Sequence, residues 1–195
     1  MPYQNHNQWD SLPINLTGSE IENPLSVIHQ YFTEESGLPE TIKSLNQVYH
    51  SAFSDTCHLN KHEVVLLFGF RECLDRLIES CSLLLSHDLN NCILTNENDL
   101  LNPKYFCKDL TPNYKPWHYI PRHLNDEEYI NPRQFLIQFF RIQSLAQWKD
   151  TLKDLFTAAM EDNSVFSGAE DQDFYMSCEY LLKLVEAAHL IYVRH

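Results

Sequence analysis

Apolar residues recur at helical spacing in two long stretches without proline, residues 40–102 and 133–195. Proline breaks helix interiors, so these stretches are where long helices can lie. Within 39–54 and 146–161, apolar residues fall at i, i+3, i+4 and i+7 (Leu45, Val48, Tyr49 and Ala52; Leu152, Leu155, Phe156 and Ala159), the period of a half-buried helix. Further on, Leu67, Leu74, Leu77, Ile78, Cys81 and Leu85 form one stripe, and Phe174, Leu181, Leu184, Val185, Ala188 and Tyr192 form another. The pattern predicts helices over roughly 24–34, 39–54 and 61–86, then 132–142, 146–161 and 168–193. Five of the nine prolines fall between 103 and 132, which marks a connector.

The two sets of helices resemble each other. Asn23-Pro24 opens a segment ending Gln30-Tyr31-Phe32, and Asn131-Pro132 opens one ending Gln138-Phe139-Phe140, 108 positions later. After a slip of one residue the offset is 107: Leu45, Val48, Tyr49 and Ala52 match Leu152, Leu155, Phe156 and Ala159. Glu72, Leu74, Leu77, Ile78 and Glu79 match Glu179, Leu181, Leu184, Val185 and Glu186. Each copy opens with an N-cap asparagine followed by proline, whose missing N–H costs nothing at the first helical position. The last helix of each copy opens on a capping box, Asn60-x-x-Glu63 and Ser167-x-x-Glu170. The expected fold is therefore all-α, a helical bundle built from two similar three-helix units packed about a pseudo-two-fold axis. Its parts are an irregular arm (1–22), repeat 1 (23–87), a Pro/aromatic-rich connector (88–130) and repeat 2 (131–195). A unit of about 60 residues has only a marginal core, so the two repeats together form one domain.

Composition supports helix over strand: 27 leucines stand against 7 valines, with only four glycines for turns. The formal charge is −13, spread as −3 over 1–22, −4 over 23–87, −3 over 88–130 and −3 over 131–195. This balance argues against nucleic acid and against anionic membrane, both of which select a basic face. Six cysteines contain no C-x-x-C pair, and Met1–Leu16 has no basic or apolar leader, so a reducing cytoplasm is the expected location. No nucleophile elbow, P-loop or dinucleotide fingerprint occurs.

Two histidine patterns resemble metal sites. His58-x-x-x-His62 lacks the H-E-x-x-H arrangement, and Glu186-x-x-His189 finds Glu79-x-x-Ser82 in the other copy. Glu79 and Glu186 also lie far from the centre of their apolar stripes, so both are expected to face solvent. Neither metal nor cofactor is expected. Glu72 with Arg76, and Glu179 with Lys183, are expected to pair across one helical turn, and Arg71 with Asp75 to form a half-buried pair.

The connector concentrates rings and charges between its prolines. Trp117, His118, Tyr119, Arg122 and His123 are the candidate binding residues, in an ordered strap with Trp117 mostly buried. The function expected first is that of a non-catalytic interaction or regulatory protein with a protein partner, itself included as a homodimer. The alternative is a small enzyme or ligand-binding protein with a pocket between the repeats, such as a hydrolase using His118 and His123.

Overall fold

The computed structural model describes residues 12–54, 61–87, 100–106, 114–160 and 170–195, without the side chains of 61, 62, 103 and 170–173. Among these residues there are eight α-helices and no strand. They are α1 (Gly18–Glu22), α2 (Pro24–Gln30, continuing as a π turn over Tyr31–Glu35), α3 (Leu38–Ala52), α4 (Lys61–Leu84), α5 (Asp126–Ile130), α6 (Pro132–Ile142), α7 (Leu145–Met160) and α8 (Glu170–Arg194). None of them is long and apolar enough to cross a membrane. The connector adds short 3-10 turns at Pro103–Tyr105 and Pro116–Tyr119.

The ends of these helices are set by local chemistry. Asn131 Oδ1 accepts from the Gln134 N–H at 3.2 Å, capping α6, while Pro132 occupies its first turn. At α2 the cap is different: the Asn23 carbonyl accepts from both the N–H and the hydroxyl of Ser26. Residues 1–22 and 88–130, expected to be irregular, each contain a short helix directly before an Asn-Pro pair. These helices carry their own reciprocal caps. The Glu20 carboxylate accepts from the Thr17 N–H at 2.7 Å, and Glu128 accepts from the Asn125 N–H at 2.8 Å. The boxes expected at Asn60 and Ser167 lie outside the described residues.

The one-residue slip in the sequence match has a structural seat. The Tyr31 carbonyl accepts from Ser36, five residues on, whereas the matching Phe139 carbonyl accepts from Gln143, four residues on. A π turn takes up one more residue than an α turn. The turn that follows Tyr31 thus holds one residue more than the turn that follows Phe139.

Packing repeats in the same way. α2 lies on α4 as α6 lies on α8, and α1 touches α4 as α5 touches α8. Across the middle, α3 packs on α7, α4 on α7 and α3 on α8. The shared core holds Ile28, Phe32, Leu45, Leu77, Phe135, Leu152, Leu184 and Trp148, all fully buried. Burial of each such side chain stabilises the fold by about 1.5–3 kcal/mol. Matched core positions fill their space differently. In the first half Tyr31 shares a 3.0 Å hydrogen bond with Thr41. In the second, Phe139 stacks on Trp148 at 4.0 Å, and the indole N–H donates to the Phe139 carbonyl. The phenol hydroxyl with threonine is replaced by a larger indole that brings its own donor.

Candidate functional site

Glu79 and Glu186 do not face solvent; they are 0% and 2% exposed. A buried carboxylate is tolerated only when its oxygens are saturated with donors, and each is. Glu79 accepts from the backbone N–H of Ile14 (3.2 Å) and Asn15 (2.9 Å), from the Asn15 side-chain amide (2.9 Å) and from Lys149 Nζ (2.6 Å). Glu186 accepts from the backbone N–H of Arg122 (2.7 Å), His123 (2.7 Å) and Leu124 (3.1 Å), with His123 Nδ1 at 2.8 Å. In both cases a carboxylate on a long helix gathers the free N–H groups of the chain just before a short helix. At Glu79 and at Glu186 the long helix is covered on both sides, by core helices on one and by this turn on the other.

Rings of the connector also pack on one another and on α8. Tyr119 is buried and stacks on Phe106 at 4.0 Å, and Tyr105 meets Tyr192 edge-on at 5.6 Å. His118 Nδ1 accepts from the Lys115 N–H at 3.0 Å, which closes the turn it belongs to. Trp117 is 53% exposed and touches His118 edge-on, contrary to its expected burial. The docking role falls to Tyr119, because the 3-10 turn presents only that ring to α8. The candidate residues therefore divide. His118, Arg122 and His123 border a small pocket of about 180 Å³ with Tyr114 and the start of α3, while Trp117 and Tyr119 line no part of it.

His123 also borders a second, much larger cleft of about 800 Å³ between α3 and α8. From α3 and its end it takes Asn46, Tyr49, His50, Phe53 and Ser54; from α8 it takes Tyr175, Cys178, Glu179 and Leu182. The Tyr49 hydroxyl donates to the Cys178 carbonyl at 3.0 Å and pins the cleft floor. The Cys178 thiol is held in its protonated form, because burial pushes it up to about 12. His123 is raised from its ordinary value by its hydrogen bond to Glu186. Of the cleft residues only His123 is a candidate from sequence; the others read as core or as solvated helix face.

Three further features bear on chemistry. His189 is buried among the rings of Phe32, Tyr119 and Tyr192, neither ring nitrogen has a hydrogen-bond partner among the described residues, and burial lowers it to about 3. The ion pairs expected across one turn are not formed. Arg76 instead reaches Glu20 and Glu35, and Lys183 reaches Glu128 at 3.0 Å, because α1, the π turn after α2 and α5 bring better-placed acids. Arg71 does meet Asp75, Nε to Oδ2 at 3.6 Å, and burial raises Asp75 to about 6. His58 and the His62 side chain lie outside the described residues. Apolar side chains are exposed at Val65, Leu66 and Phe68 on α4. No family model, curated protein or solved structure matches the chain.

Proposed function

We propose that the protein is a non-catalytic interaction protein built by internal duplication, and that its binding site is the cleft left at the seam between the copies. In this reading the repeat is longer than the helix pattern alone suggests. Residues 12–84 form one copy and 120–191 the other, so that Pro13, Asn15, Glu20 and Asn23 match Pro121, His123, Glu128 and Asn131. The paired anchoring of a preceding turn by Glu79 and by Glu186 supports it. The observation that carries the binding role is the cleft of about 800 Å³, within the size range of sites that enclose organic ligands or short chain segments. The free thiols of Cys73, Cys81 and Cys178 fit a reducing compartment such as the cytoplasm.

The second reading is catalytic. Glu186 holds His123 Nδ1, the arrangement that orients an imidazole as a general base. Against it stands the duplication, since the matching residue is Asn15, which makes the same contact to Glu79 with no acid-base chemistry. The exposed Val65, Leu66 and Phe68 offer a third surface, suited to self-association.

Methyl- and amide-resolved NMR of the whole chain against a mixture of small organic fragments tests the reading. Shifts should cluster at Tyr49, Phe53 and Leu182, and the His123→Asn variant should retain them. Shifts confined to Val65, Leu66 and Phe68, or none at all, would contradict it.

A further inference from the structure

The two sides of the seam are not equally filled. Cys178 and Leu182 in the cleft match Arg71 and Asp75 on the opposite side, 107 positions earlier. There the chain supplies its own guanidinium: Arg71, about a third exposed, lies against Asp75, and the neighbouring Phe70 meets Phe156 at a tilt, ring centroids 6.0 Å apart. Phe156 is the counterpart of Tyr49 in the cleft. On the cleft side no arginine occupies that place, and the space is open.

We infer that the cleft receives an arginine side chain carried on a basic protein segment. This rests on the cleft being the binding site. Three observations point to this occupant. Phe53 and Tyr175 stand at the mouth with ring centroids 6.1 Å apart, a face on which a flat cation can lie. Glu179 is exposed and has no ion-pair partner among the described residues, because Lys183 is engaged by Glu128. Finally, the residues that α8 contributes to the cleft, Tyr175, Cys178, Glu179 and Leu182, include one carboxylate and no lysine or arginine. Two imidazoles, His50 and His123, line the cleft, and His123 is already matched by the buried carboxylate of Glu186. A volume of about 800 Å³ exceeds what one side chain fills, so the arginine arrives with neighbouring backbone.

Fluorescence anisotropy with three labelled octapeptides on one sequence, carrying two arginines, two citrullines or two glutamates, tests the inference. Citrulline keeps the shape of arginine and removes the charge. The arginine peptide should bind at least about tenfold more tightly than the citrulline peptide, and the glutamate peptide should not bind. Glu179→Gln should weaken the arginine peptide about fivefold and leave the citrulline peptide unchanged. Cys178→Arg, which restores the Arg71 arrangement, should block the arginine peptide. Glu179 is on the surface, so its variant does not depend on the core accepting a larger side chain. Equal binding of arginine and citrulline peptides, or preference for glutamate, would overturn the inference. If fragments fill the cleft by NMR while no peptide binds, the arginine inference fails and the binding site stands. If neither binds, both fail.

Discussion

Changing Glu186 to glutamine keeps its shape and removes half of what it does. The carboxylate receives three backbone N–H groups and the His123 ring, two donors on each oxygen. In Glu186→Gln one oxygen becomes an NH2, which faces two of those donors and accepts from neither. Hydrogen bonds to a charged group contribute about 1.5–3 kcal/mol each, and a buried donor left without a partner costs about 1–3 kcal/mol. Two donors lost, with partial relaxation of the turn, give a destabilisation of about 3–5 kcal/mol. A small domain has about 5–15 kcal/mol in total, so this is a large fraction of its stability. Glu79→Gln should cost a similar amount, since it also leaves the Lys149 ammonium short of its buried partner. Urea unfolding followed by circular dichroism measures both, with Glu179→Gln as an exposed control expected to change stability by less than about 0.5 kcal/mol. A loss below about 1 kcal/mol for Glu186→Gln, with an unchanged m-value, would show that the carboxylate does not hold the turn.

His189→Leu should make the protein more resistant to acid. The native imidazole is depressed to about 3 while an unfolded histidine titrates near 6.5, so its stability contribution is complete above 6.5 and is lost as pH falls toward 3. Between pH 7 and pH 5 that loss is about 2 kcal/mol, and it should vanish from the urea-unfolding profile of the variant; an identical pH dependence in both proteins would refute the assignment. Trp117→Ala should cost less than about 1 kcal/mol, because the ring is half exposed, whereas Trp148→Ala should cost about 3–5 kcal/mol through lost burial and packing. Equal losses by thermal unfolding would mean that the two rings are not placed as described.

Much of the helical architecture was legible because each helix announces itself locally. Asn-Pro starts, the proline-free stretches and the 3.6-residue period bring α2 to α4 and α6 to α8 close to their observed bounds. The short helices α1 and α5 do not show in the apolar period; their capping pairs, Thr17 with Glu20 and Asn125 with Glu128, carry the signal. The burial of Glu79 and Glu186 escapes the pattern for a different reason. An apolar stripe identifies the face turned to the core, yet it says nothing of a second face covered by a distant turn. A trace of this is present in the sequence: Leu184-Val185-Glu186-Ala187-Ala188 is apolar on every side of the helix, and such a helix has no solvent face to offer its one acid. The cleft could not be read at all, since it lies between α3 and α8, which are distant in the sequence and whose relative placement no local pattern sets. Trp117 and Tyr119 show a similar limit, because which ring docks depends on the rotation of a single 3-10 turn.

A crystal structure of the whole chain soaked with the fragment mixture addresses the central claim most directly. Density is expected between Tyr49 and Leu182, with residues 12–84 superposing on 120–191 by a near two-fold rotation and Glu79 falling on Glu186. An empty seam with density on the Val65, Leu66 and Phe68 face, or two halves that do not superpose, would contradict it.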